Sequence, residues 1–496
     1  MKKFFLFCFL VMNYISIANN VQVGVPSLPT TTTLQFTIQW DNSWRIASGP
    51  TNWDAVWLFV KYQDCATNLW KHVDLSTVAV NHTVTGTQLE VIPVSDGKGV
   101  YLRLNTNVIT NVTSATVTLK FATLVDAAYN YQVFGIEMVN IPQGDFYVGD
   151  GTKGTSSFGF SDLNPFPPKL ITSAIQNTTG LGAATNYQVN NYGSTAPLPT
   201  TFPLGWNSFY CMKYEVSQEQ YASFLNTLTY DQQINRTANS PNSAMGTLAI
   251  ASATNSRNGI RIQTPGLLNN IPAVYGNDLN ANNTFNEAAD GQNIACNWLQ
   301  WSDLTAYLDW AALRPMTEFE FEKVCRGTAV PLANENAWGT STILQAHAGA
   351  LTGSATSAEL STVSGPGLCA YGINSTASGP LRCGFAATAT TNRAQAGSSF
   401  YGVMDMSGNV AEQCIGGYNF NFSAFTAAVG DGSLSTVGSC NIVNCPSTGG
   451  GQQGALTRGG DWFTSGIFTT NVSDRGLMTN NYNSFRDHRV GGRGVR

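Results

Sequence analysis

Two periodicities divide this chain. From about residue 21 to 134 apolar positions alternate with polar ones: Leu34, Phe36, Ile38 and Trp40 interleave with Thr and Gln, and Val117, Leu119 and Phe121 repeat the pattern. A period of two is the signature of strands with one face on a core. Ala55 to Val60 is instead apolar without a break, which suits a strand covered on both faces. Turn signals such as Asp96-Gly97 separate these runs, so the spacing predicts a small antiparallel, sandwich-like all-β domain over 19–134.

Past Phe134-Gly135 the period changes to that of helices among long Gly, Asn and Ser loops. Ser217 with Gln220 reads as a capping box ahead of a Tyr221, Phe224, Leu225 stripe. Ser302 is expected to cap a second helix carrying Leu304, Tyr307, Leu308 and Ala311. Thr317 with Glu320 opens a third that runs to Arg326-Gly327. These stripes read as core-facing. The remainder is turn-rich, and a segment such as 328–400 is too long for an ordinary loop, which predicts packed irregular structure pinned by disulfides or ions.

Composition narrows the class. With 496 residues, 11% charged, 43% hydrophobic and a net charge of −5, the chain lacks the basic density that nucleic-acid binding requires. Lys2 and Lys3, an apolar run from Phe4 to Met12 and the small residues Ser16-Ile17-Ala18 predict a signal peptide over 1–18, cut near Ala18, and a secreted product. No other stretch is long and apolar enough to predict a membrane span. Ten cysteines less Cys8 leave nine, an odd number, so at least one stays unpaired. Cys440 with Cys445, and Cys369 with Cys383, are near enough to close short loops. Four scattered histidines and no Cys-x-x-Cys argue against a structural zinc site.

Six segments then appear in order: IEMVNIPQGDFYVGD (136–150), FYCMKYEVSQEQYASFLNTL (209–228), WSDLTAYLDWAALRPMTEFEFEKVCRG (301–327), YGVMDMSGNVAEQ (401–413), TRGGDW (457–462) and GGRGVR (491–496). Together they resemble the formylglycine-generating enzyme, or sulfatase-modifying factor, family. The resemblance implies that 135–496 is one α+β, C-type-lectin-like domain rich in irregular structure. It also implies a copper-dependent oxidase whose two C-terminal cysteines, spaced as in C-x-x-x-x-C-x-x-R, bind the metal and attack a substrate thiol. Counted back from Arg475, those positions hold Ile467 and Val472. Neither side chain ligates copper or forms a thiolate, so copper is not expected. The iron of the family's ergothioneine-forming relatives is not expected either, because their histidine-rich helical domain is missing.

In DMSGNVAEQ, Asp405, Gly408, Val410 and Glu412 fall where the family holds a structural Ca²⁺ through two side chains and two carbonyls, a suitable donor set for a hard cation. Arg458, Arg493 and Trp462 read as buried loop-bridging residues. Between Phe468 and Arg489 the Thr, Asn, Tyr, Arg and His content suits a recognition surface. The expectation is a secreted, non-catalytic family member acting as a binding or surface-assembly protein, its partner a protein, a glycan or further copies of itself. The alternatives are the copper-dependent formylglycine-generating oxidase, and a structural subunit of an extracellular sheath or filament.

Overall fold

A computed structural model describes residues 21–64, 69–85, 88–123, 129–152, 167–175, 201–252, 255–268, 271–373, 378–416, 425–446, 454–466, 469–476 and 484–496. The predicted signal peptide and Cys65 lie outside them. The architecture is β-rich with four α-helices among the described residues.

Its main strands are β1 (Thr33–Trp44), β2 (Asp54–Asp64), β3 (Leu89–Pro93), β4 (Val100–Leu104), β5 (Ile109–Lys120), β6 (Asn130–Ile141), β7 (Phe209–Met212), β8 (Ala411–Ile415) and β9 (Ala455–Arg458). The helices are α1 (Gln218–Leu225), α2 (Tyr230–Arg236), α3 (Trp301–Trp310) and α4 (Glu318–Arg326). One sheet is centred on the antiparallel β1–β5 pair. The other runs in the order Arg314–Pro315, Gly494–Val495, β7, β6, β2, β4, β3.

The two sheets bury a common core. Leu34, Phe36, Ile38 and Trp40 of β1 meet Val56, Leu58 and Val60 of β2 there. The intervening β2 residues Ala55, Trp57 and Phe59 point the other way, onto the core formed with α1 and α3. This is why the β2 sequence is apolar without alternation: both of its faces are covered. Trp57 donates its indole N–H to the Ala311 carbonyl at 2.9 Å, and buried Lys61 reaches the carbonyls of Trp310 and Gly432 at 2.7 and 2.5 Å. Phe59 and Phe134 both lie edge-on to Trp310.

Strand β6 joins the two sequence regions. Its residues 130–139 pair with β2, and its residues 138–141 pair with β7. The position 134/135, where the helical texture begins in the sequence, lies in the middle of this strand.

Local signals set the helices. Ser217 and Thr317 cap α1 and α4, each with its reciprocal Gln220 or Glu320 bond. For α3 the expectation needs correcting. Gln300 is the N-cap and Ser302 lies inside the first turn, because the Asp303 carboxylate accepts the Gln300 amide and starts the helix at Trp301. Helix α2 carries the same capping signature, Thr229 with Gln232.

The described part of 328–400 is packed, yet disulfides do not pin it: Cys369 and Cys383 are buried free thiols that face the carbonyls of Ser407 and Glu215 separately. Buried Glu359 does that work instead. It holds Arg257 and accepts the Arg382 amide at 2.9 Å, and Arg393 reaches the Ala337 carbonyl at 2.7 Å.

Candidate functional site

The DMSGNVAEQ turn lies at the entry to β8. Asp405 and Asn409 adopt left-handed φ of 57° and 66°, conformations that short polar side chains tolerate better than most. Between them Gly408, at φ 84°, is indispensable: a Cβ there would sit 2.3 Å from the Cys369 sulfur and 2.6 Å from the Ala370 carbonyl. The tight turn then feeds Glu412 into the centre of a three-stranded sheet, beside Arg458 of β9 and parallel to Gly491.

The four residues expected to hold Ca²⁺ are all buried. The Asp405 carboxylate accepts the Gly384 amide at 2.5 Å. One oxygen of Glu412 takes both Nε and Nη2 of Arg493, at 2.7 and 2.6 Å, and its Oε2 has no hydrogen-bond partner among the described residues. Gly408 and Val410 enter through their main chain, and the Val410 amide is bound by Glu215 at 3.0 Å. Among the described residues no group of three or more His, Cys, Asp or Glu side chains is placed to hold a metal. The donor set therefore fits a cation only in part, with Arg493 already supplying positive charge to Glu412.

Glu215, which the sequence reading did not single out, completes this cluster. Its carboxylate accepts Nδ2 of Asn409 at 2.6 Å as well as the Val410 amide, tying the segment ahead of α1 to the turn. Burial pushes its pKa well above the ordinary carboxylate range, and the neighbouring Asp405 adds to the shift while Arg493 opposes it. Asp405 and Glu412 are displaced upward by burial too. The available signal was a glutamate two residues ahead of the Ser217 helix cap, between Tyr214 and Val216.

Arg458 and Arg493 are buried bridges. Arg458 reaches Glu318 at 2.7 Å and Glu322 at 2.6 Å, and Arg475 binds the other oxygen of Glu318 at 2.7 Å. Arg326 extends the network to Glu322 at 2.9 Å and to Glu335. Trp462 is fully buried, with its indole N–H on the His488 carbonyl.

This network surrounds Val472, the second position where the resemblance places a catalytic cysteine. Val472 is 1% exposed and packs in the core with Cys325 and Cys414. Its amide donates to the Glu335 carbonyl at 2.8 Å, and its own carbonyl accepts Nη2 of Arg458 at 2.6 Å. Ile467, the first position, lies outside the described residues. Burial raises the thiol pKa of Cys325 and Cys414 well above the ordinary value and that of Cys211 to about 12, the opposite of what activates a nucleophile.

The Phe468–Arg489 segment divides. Thr470 and Asn471 are buried, and the Thr470 hydroxyl donates to Asn336 at 2.8 Å. Arg486 binds Asp303 of α3, and Arg489 binds Asp487. These side chains face the protein interior or each other. Phe468 and 477–483, which include Asn480, Asn481, Tyr482 and Asn483, lie outside the described residues.

No helix among the described residues is long and apolar enough to cross a membrane. No curated protein matches the chain. A solved structure described as "pH-induced modulation of Streptococcus parasanguinis adhesion by Fap1 fimbriae" shares 12% identity over 32% of this chain and 85% of its own, with a TM-score of 0.12. A likeness at that score carries no argument. The sulfatase-modifying factor enzyme 1-like domain, by contrast, matches residues 131–496, well over half the chain. With its motifs built into the turn at Asp405–Glu412 and the arginine network around Val472, the chain belongs to the formylglycine-generating enzyme, or sulfatase-modifying factor, family.

Proposed function

We propose that this chain is a secreted, non-catalytic member of its family that acts by binding or surface assembly, with a C-type-lectin-like domain as a rigid scaffold for loops. The observation that carries this reading is Val472: an aliphatic side chain, buried in the core, whose amide and carbonyl are both committed to neighbouring groups. The parent chemistry needs a thiolate at that position, and soft-metal binding needs sulfur. The buried thiols nearby are held in their neutral form. The partner class is a protein, a glycan or further copies of the chain, none of which requires a reactive centre. Export rests on the Lys2-Lys3 and Phe4–Met12 pattern. Structural Ca²⁺ at Asp405, Gly408, Val410 and Glu412 forms part of the proposal, supported by the buried Oε2 of Glu412, which has no hydrogen-bond partner among the described residues.

The deciding experiment is copper(I) titration of the reduced protein, followed by an assay for aldehyde formation on a cysteine-containing peptide under oxygen. Absence of both binding and turnover is the expected result. Stoichiometric copper binding with oxygen-dependent turnover overturns the non-catalytic reading.

A further inference from the structure

Six of the eight described cysteines, Cys211, Cys296, Cys325, Cys369, Cys383 and Cys414, are buried thiols in the core. Cys440 and Cys445 differ from them: both are partly exposed, and Cys445 is the foremost neighbour acting on the Cys440 thiol. The chain between them is turned back so as to bring the two ends together. The Cys445 amide donates to the Ile442 carbonyl at 3.2 Å, the Cys440 sulfur accepts the Ile442 amide at 3.4 Å, and Asn444 turns the backbone with a left-handed φ of 60°.

From this geometry we infer that Cys440 and Cys445 are a disulfide-forming pair, closed by exchange with an external low-molecular-weight disulfide.

The chemistry balances with that oxidant. The thiolate of one cysteine attacks the external disulfide, forming a mixed disulfide and releasing one small thiol. The second sulfur then displaces the other small thiol. Two S–H bonds are lost from the protein, one S–S bond forms, and both protons leave on the two reduced small molecules.

The bridge has a structural consequence. The segment 430–446 lies across α3. The Asp309 carboxylate accepts the amides of Asn441 at 2.7 Å and Asp431 at 3.2 Å, the Trp301 indole N–H donates to the Pro446 carbonyl at 2.6 Å, and Lys61 of β2 reaches Gly432. Closing 440–445 fixes the turn at the end of this strap and removes freedom from its opened state.

The test equilibrates the full chain in glutathione buffers of graded poise, traps free thiols by alkylation and maps the peptides by mass spectrometry. At an oxidising poise the peptide spanning 440–445 is expected to lose two hydrogens and resist alkylation, while the six core thiols stay reduced. Alkylation of both Cys440 and Cys445 at that poise, or linkage of either to another cysteine, overturns the proposal. Limited proteolysis supplies a second readout. Oxidised protein is expected to be cut within 430–446 about tenfold more slowly than reduced protein. Cys440→Ser and Cys445→Ser should each abolish the difference. Equal cutting rates in the two redox states of the unsubstituted protein refute the strap role.

Discussion

Arg493 places Nε and Nη2 at 2.7 and 2.6 Å from a single oxygen of Glu412, with both side chains fully buried. A guanidinium that fills this position neutralises the carboxylate where solvent cannot. Removing one partner leaves the other charged and dry. Arg493→Met is therefore expected to cost about 3–5 kcal/mol of stability. Arg493→Met combined with Glu412→Gln should recover a substantial part of that loss. Denaturant unfolding of the four proteins in the cycle decides it: additive losses contradict a direct pair.

Calcium gives a related prediction. If Ca²⁺ occupies the turn, EDTA lowers the unfolding temperature and added Ca²⁺ restores it. A ligand at a hundred times its Kd contributes about 2.7 kcal/mol. Glu412→Gln should remove the Ca²⁺ dependence. Metal analysis of the purified protein together with thermal scans checks this, and a metal-free protein whose transition ignores both EDTA and Ca²⁺ rules the site out.

The shared strand β6 predicts cooperativity. Because β6 pairs with β2 on one edge and β7 on the other, a cut at 134/135 strips a neighbour from each side. A fragment ending at residue 129 should expose Trp57 and Phe59 and fail to give dispersed NMR amide signals. In the full chain Trp57→Ala, which also loses the bond to Ala311, is expected to cost about 3–5 kcal/mol. It should shift one common transition in calorimetry; separate early melting of the N-terminal region speaks against the shared core.

His347 sets a pH dependence. Burial lowers its pKa from 6.5 to about 4, against the opposing bond to the Gly379 carbonyl. The folded state thus holds the neutral ring while the unfolded chain protonates near 6.5. Below that pH the unfolded state binds more protons, so this contribution to stability is intact above pH 6.5 and falls away toward pH 4. The full loss is on the order of 3 kcal/mol. His347→Gln should flatten that part of the stability curve, measured by denaturant midpoints between pH 4 and 7.5, and an unchanged slope excludes His347 as its source.

Much of this was legible locally. The unbroken apolar run 55–60 announced a strand with two buried faces. The Ser217/Gln220 and Thr317/Glu320 pairs announced two helix starts, since a cap is satisfied within four residues. The cap of α3 was misplaced because Ser302 is a good cap by residue type. Asp303 decided the start, and it is held by Arg236 and Arg486 from distant segments.

What the chain determined by itself is therefore what neighbours in sequence can satisfy: periodicity, caps, the glycine at 408, the ordered family motifs and the missing cysteines. The tertiary structure alone decided which charges meet. Glu412 and Arg493 lie 81 residues apart, and Glu318 and Arg458 lie 140 apart. It also decided that Val472 is core, that Glu215 joins the turn, and that β6 serves two regions at once. The physical reason is that burial makes an unpaired charge or amide costly, and its partner is whichever group the packed chain brings within reach.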